Sequence, residues 1–182
     1  MGFKFSKGPI SIQEIKESRL LSLRDIQKWE EEFLVRSRGK NYFTEREFVE
    51  TYRQTFTSGD AKTFARNVFR VMDLDGNGSI DLREFVLGMS SLTGDDVNKK
   101  IEWAFRVYDV NGDGVISPKE FKKIVRAIFK MHGRGVSSKE HIDRLCSDLM
   151  RSMDADRDGT ITLQEFREGC RKHKFLLNAL KV

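Results

Sequence analysis

Apolar residues recur along this chain three and four apart in short runs, and between runs the chain turns abruptly polar and glycine-bearing. Leu23, Ile26, Trp29, Phe33 and Leu34 form the first stripe, Phe48, Val49, Tyr52 and Phe56 the second, and Phe64, Val68, Phe69 and Met72 the third. Phe85, Val86 and Met89 follow, then Ile101, Ala104, Phe105 and Tyr108, then residues 121–131, then Ile142, Leu145, Leu149 and Met153. A 3.6-residue period over two to four turns predicts amphipathic helices, each burying one face. Ser22 with Asp25, Thr44 with Glu47, Ser117-Pro118 with Glu120, and Thr162 with Glu165 place an N-cap oxygen and an N3 carboxylate where helices should begin. Asp60 precedes the third helix. The pattern predicts an all-α fold of helix-loop-helix units in two lobes, 22–92 and 93–173, flanked by an arm, 1–21, and an apolar tail, 174–182.

The polar intervals carry the chemistry. Residues 73–84 read DLDGNGSIDLRE and put Asp73, Asp75, Asn77, Ser79, Asp81 and Glu84 at positions 1, 3, 5, 7, 9 and 12 of a twelve-residue loop. A hard divalent cation with six to eight oxygen ligands needs this spacing, position 7 through its carbonyl and position 12 as a bidentate carboxylate. Gly78 sits at position 6, where the loop turns sharply. Residues 109–120 offer Asp109, Asn111, Asp113, the Val115 carbonyl, Ser117 and Glu120; residues 154–165 offer Asp154, Asp156, Asp158, the Thr160 carbonyl, Thr162 and Glu165. The match to D-x-[DN]-x-[DN]-G-x5-E, three times in register, predicts three calcium sites. Asp81 at position 9 makes loop 73–84 the candidate for magnesium competition. At position 8, Ile80, Ile116 and Ile161 are placed to pair in short β-ladders between loops.

A fourth loop is present in outline only. Residues 36–47, RSRGKNYFTERE, put Arg36, Arg38 and Lys40 at positions 1, 3 and 5, where they supply no ligand oxygen and repel a divalent ion. Phe43 still occupies position 8, opposite Ile80, and Asn41 is the candidate for a positive φ at position 6.

Charge changes this picture. The net charge is +5, although eleven carboxylates are loop ligands; the other 17 acidic residues face 33 Lys and Arg, so the rest of the chain carries +16. Three bound calcium ions would raise the total to +11, which favours anionic lipid headgroups or acidic partners; solubilised helix faces are the plain alternative. No nucleic-acid motif and no catalytic constellation stand out: His132, His141 and His173 are scattered, and Cys146 and Cys170 form neither a CxxC nor a zinc spacing. Cys146 falls on an apolar helical face and is expected to be a buried free thiol. No apolar run approaches the length of a membrane span or a signal peptide, so a cytoplasmic chain is expected. Met1-Gly2-Phe3-Lys4-Phe5-Ser6 fits the pattern for acylation of Gly2, although Phe3 is unusual after an acceptor glycine; with the basic surface, an acyl chain would make peripheral membrane attachment feasible.

Four helix-loop-helix units with the first loop inactive resemble the neuronal calcium sensor family of EF-hand proteins, the group of recoverin, frequenin and hippocalcin. The likeness is carried by the Gly2 start, Tyr52 through Phe56, Phe64-Ala65, Val68-Phe69, Phe85 to Ser90, Trp103-Ala104-Phe105, and the 36-residue spacing of the first two intact loops. The family usually disables its first loop with a Cys-Pro-x-Gly insertion; Arg36-Ser37-Arg38-Gly39 stands here instead, which suggests a divergent member. The resemblance implies a myristoylated, non-enzymatic calcium sensor that grips an amphipathic target helix in an apolar groove of its N-terminal lobe. Trp29, Phe33, Phe48, Tyr52, Phe56, Phe64, Phe69, Phe85 and Met89 are the candidate groove residues, with ordinary core packing as the alternative. A cytosolic calcium buffer and an obligate regulatory subunit of a larger enzyme, similar to calcineurin B, remain open.

Overall fold

The computed structural model describes residues 22–57, 59–93, 96–132, 138–173 and 176. The arm with Gly2, and the tail apart from Leu176, lie outside the described residues.

The fold is all-α with two short antiparallel ladders. Helix α1 (Leu23–Arg36) leads through strand β1 (Tyr42–Thr44) into α2 (Glu45–Thr55); α3 (Lys62–Met72) leads through β2 (Ser79–Asp81) into α4 (Leu82–Thr93). The second half repeats this order with α5 (Val97–Tyr108), β3 (Val115–Ile116), α6 (Pro118–Met131), α7 (Lys139–Met153), β4 (Ile161–Thr162) and α8 (Leu163–Lys172). Local chemistry starts the helices where the sequence places the caps. The Ser22 side chain accepts the Asp25 N–H, and Thr44, Ser117 and Thr162 each form a capping box with the glutamate three residues on. Helix α3 departs from this: its N-cap is Ala61, with no side-chain cap bond, and Asp60 accepts from the Lys62 N–H instead.

Position 8 joins the loops as expected. Phe43 pairs with Ile80, and Ile116 with Ile161. The first ladder holds loop 36–47 against loop 73–84, and the four side chains of the two pairs are fully or almost fully buried. In both lobes the methionine before a loop packs on a glycine of the exit helix. A Cβ on Gly88 would lie 2.5 Å from Met72 Cε, the movable tip of that side chain, whereas one on Gly169 would lie 2.4 Å from Met153 Sδ and 2.5 Å from its Cγ, so the closer approach is at Gly169.

Between the lobes, α3 runs against α5 and α6. Arg70 Nη2 donates to the carbonyls of Arg106 at 2.6 Å and Asp109 at 3.0 Å, while Arg106 Nη2 donates to the Val71 carbonyl at 3.0 Å. Each arginine sits three residues before its own loop, and each caps the C-terminal end of the other's helix, where orphan carbonyls and the negative dipole end favour a cation. The Asp60 N–H donates to the Lys130 carbonyl at 2.9 Å, and the Phe56 and His132 rings meet at 5.6 Å.

Candidate metal centres

All three intact loops use the same frame. Their position-6 glycines have positive φ, at +81° for Gly78, +90° for Gly114 and +87° for Gly159. Their position-1 aspartates reach across the loop to accept the position-6 N–H: Asp73 from Gly78 at 2.9 Å, Asp109 from Gly114 at 3.0 Å and Asp154 from Gly159 at 3.1 Å. Position-5 side chains accept from the position-7 N–H, Asn77 from Ser79 at 2.8 Å, Asp113 from Val115 at 3.1 Å and Asp158 from Thr160 at 2.7 Å. These bonds turn the carboxylates inward before any ion is considered.

Each position-12 glutamate closes its loop from the exit helix. Glu84 Oε1 accepts the Leu74 N–H at 2.7 Å and the Asp75 N–H at 3.3 Å, and its Oε2 accepts the Asp81 N–H at 3.1 Å. Glu120 accepts from Val110 and Asn111, both at 3.0 Å, and from the Ser117 N–H at 2.9 Å; Glu165 accepts from Ala155 at 2.8 Å and from the Thr162 N–H at 2.9 Å. Burial dominates at Glu84 and pushes its carboxyl above the ordinary range despite the three N–H donors. At Glu120 burial pulls the same way, but the Ser117 hydroxyl and N–H with the Asn111 and Val110 N–H groups outweigh it, so that carboxyl is lowered.

The donor sets fit a hard divalent cation. Carboxylate oxygens of Asp73, Asp75 and Glu84 lie within 4.8 Å of one another, as do those of Asp154, Asp156 and Asp158. Asp154 Oδ1 is buried with no hydrogen-bond partner among the described residues, an acceptor that a cation at the loop centre would satisfy. Loop 109–120 forms no such group of three carboxylates; Asn111 stands at position 3 and donates through Nδ2 to Asp113 at 2.8 Å. Loop 154–165 carries a cost the others avoid. Its position 4 is Arg157 at φ +63°, where Gly76 and Gly112 take the same conformation at +71° and +75°.

Loop 36–47 holds its own cation. Lys40 Nζ lies 2.6 Å from Glu47 Oε1, so the position-5 ammonium binds the position-12 carboxylate. Glu47 Oε2 meanwhile accepts the Thr44 N–H at 3.1 Å, as its counterparts do in the intact loops. The Lys40 hydrogen bond, followed by the Thr44 bonds, holds the Glu47 carboxyl down at about 2. The positive φ values fall at Arg38 (+56°) and Gly39 (+76°) rather than at Asn41, because the chain turns directly after the α1 C-cap at Ser37.

A family model described as an EF-hand domain pair matches residues 98–171, and one described as an EF hand domain matches residues 64–92. The chain is an EF-hand protein. Calcium binding by its EF-hand loops follows from the matched domains and from the carboxylates gathered in them. Loop 36–47 lies outside both matched spans.

The nine candidate groove residues are brought together, in the interior. Trp29, Phe33, Phe48, Tyr52, Phe64, Phe69 and Phe85 are buried, with Phe56 and Met89 partly buried. Phe33 meets Phe43 edge-on at 5.0 Å and Phe85 at 5.5 Å, Phe43 meets Phe48 at 6.4 Å, and Phe48 continues to Tyr52 at 5.1 Å, whose ring lies 5.9 Å from Phe56. This EF-hand lobe is therefore closed over its aromatic side chains. Cys146 and Cys170 are buried free thiols, and burial raises them to about 11 and about 12, so neither is a thiolate near neutrality. Sequence reasoning missed Arg70, Arg106 and the Lys40–Glu47 pair. Only the repeat register carried a signal, since Arg70 and Arg106 occupy the same place before their loops.

Proposed function

We propose that the chain is a calcium sensor of the neuronal calcium sensor type, filling three EF-hand loops and opening its helix pairs to hold a helical segment of a target protein. The observation that carries the reading is the link between position 12 and the aromatic interior. Glu84 and Phe85 are adjacent, and the Phe85 ring contacts Phe33 and, at 6.0 Å, Phe43. Drawing the Glu84 carboxylate from its backbone donors onto a cation moves α4 and the ring stack together, which is how EF-hand sensors convert ligation into exposed apolar surface.

The membrane half of the reading rests on sequence: an acylated Gly2 and a charge rising from +5 toward +11 would favour an anionic membrane surface, with the protein cytoplasmic and peripheral. A second reading, the buffer, is favoured by the closed packing of the nine groove side chains, since a buffer stays closed when loaded.

Calcium titration of the purified protein in magnesium, followed with a dye that fluoresces on apolar surface, separates the two. A steep rise in the sub-micromolar to micromolar range supports the sensor. Saturated loops with an unchanged signal, repeated after deletion of residues 174–182, overturn it in favour of the buffer.

A further inference from the structure

We propose that the outer face of α6 is a binding site for a polyphosphate group, of the kind carried by a phosphorylated inositol. Lys119, Lys122, Lys123, Arg126 and Lys130 line an open cleft of about 380 Å³, together with Ala127 and with Thr63 of α3. The five cations recur at i, i+3, i+4, i+7 and i+11, one stripe of the helix spanning roughly 16 Å at 1.5 Å per residue.

Such a stripe is unfavourable alone, because like charges three and four apart on a helix repel. Among the described residues one carboxylate answers it: Asp143 of α7 lies 3.3 Å from Lys122 Nζ and 2.5 Å from Arg126 Nη2. Lys119, Lys123 and Lys130 have no carboxylate within salt-bridge distance among those residues. The nearby acids are turned elsewhere. Glu120 gives its oxygens to backbone donors of its own loop, and Asp60, whose N–H reaches the Lys130 carbonyl, turns its carboxylate to the Lys62 N–H at 3.1 Å.

Five cations against one carboxylate leave a charge of +4 along this stripe, beside a shallow, open cleft. Lysine ammonium groups bind phosphate as point charges, and Arg126 adds a planar donor fork. Cations on three successive helical turns, roughly 5.4 Å apart, suit two or three phosphates on one ring better than a single anion. The site uses none of the calcium ligands and stands independently of the sensor reading.

The full chain, in chelator at near-physiological salt, is titrated with inositol trisphosphate by calorimetry. In parallel it is sedimented with phosphatidylcholine vesicles containing phosphatidylinositol bisphosphate, and with vesicles matched in charge by phosphatidylserine. Lys123→Glu with Lys130→Glu should weaken inositol phosphate binding at least about tenfold, while the control Lys28→Glu with Arg46→Glu, on exposed positions of α1 and α2, should change it less than about twofold. Asp143→Asn frees Lys122 and Arg126 and should tighten binding. Binding of the soluble ligand alone assigns the site to free polyphosphates; binding of the bisphosphate vesicles as well, beyond the phosphatidylserine ones, assigns it to the lipid headgroup. Equal loss in the paired variant and the control, tighter binding of a polyglutamate peptide, or no binding by wild type would overturn the proposal. Circular dichroism of each variant confirms that a loss reflects the site, since the substituted lysines are exposed and unpaired with carboxylates among the described residues.

Discussion

Arg157 is the place where the structure predicts a gain rather than a loss. It occupies the left-handed region at φ +63°, and its equivalents in the other two intact loops are glycines at +71° and +75°. A Cβ built on either glycine meets nothing within 4 Å, so the conformation itself, rather than crowding, is what a side chain pays there. An L residue in this region costs about 1–2 kcal/mol relative to the right-handed one. Glycine removes that cost but loses more backbone entropy on folding, about 0.5–1 kcal/mol. The net for Arg157→Gly is a stabilisation of about 0.5–1 kcal/mol. For a chain of this length that corresponds to a rise in Tm of roughly 1–4 °C. Arg157→Ala separates charge from conformation: it removes the guanidinium beside four loop carboxylates but keeps the strained dihedral. Thermal unfolding of the calcium-free protein should therefore rank Gly above wild type, with Ala near wild type. If Arg157→Ala matches or exceeds Arg157→Gly, relief of charge or solvation is responsible and the backbone argument fails.

Other outcomes follow from the remaining loops and the lobe contact. Glu84→Gln, and separately Glu165→Gln, should each reduce calorimetric calcium stoichiometry by one, since the amide leaves a single neutral oxygen where a bidentate carboxylate stood; unchanged stoichiometry would contradict the assignment. Because Lys40 depresses the Glu47 carboxyl, the stability that carboxylate contributes is fully present above its unfolded value near 4.5 and is lost as pH falls through about 2. Lys40→Ala should move the Glu47 titration, read by carboxyl NMR, upward toward the ordinary range, and the stability gap to wild type should close at low pH. A gap that persists below pH 2 would place the effect of Lys40 outside the ion pair. For the lobe contact, Arg70→Ala and Arg106→Ala should couple by at least about 0.5 kcal/mol in a double-mutant cycle of chemical unfolding, because each caps the helix that carries the other. Additive effects would make the two arginines independent. Gly169→Ala, pressing a Cβ onto Met153 Sδ, should destabilise by about 1–3 kcal/mol in the same assay, and combined with Met153→Ala, which opens a buried site of its own, the double variant should lose less than the sum of the two single losses.

Much of this molecule was legible in its sequence because the determinants are local. The candidate ligands at positions 1, 3, 5, 7, 9 and 12, the glycine at position 6, and the capping boxes at Thr44, Ser117 and Thr162 all lie within one loop or one helical turn, where spacing alone specifies geometry. The Phe43–Ile80 and Ile116–Ile161 pairs join distant residues, yet they too could be read, because register within a repeat is periodic information. What the chain does between repeats has no period. Arg70 and the Asp109 carbonyl are 39 residues apart, Arg126 and Asp143 are 17 apart, and nothing in their spacing brings them together; only the packing of helices on one another does. The aromatic residues of the N-terminal half show the same division. Their helical spacing marks them as one apolar face in any state, but whether that face is an open groove or a sealed interior depends on the angle between helices, and the tertiary structure has it closed. Lys40 is the sharpest case. As a cation at a ligand position it reads as a lesion, and the folded loop turns it onto Glu47, so that the position-12 carboxylate keeps a positive partner without a metal.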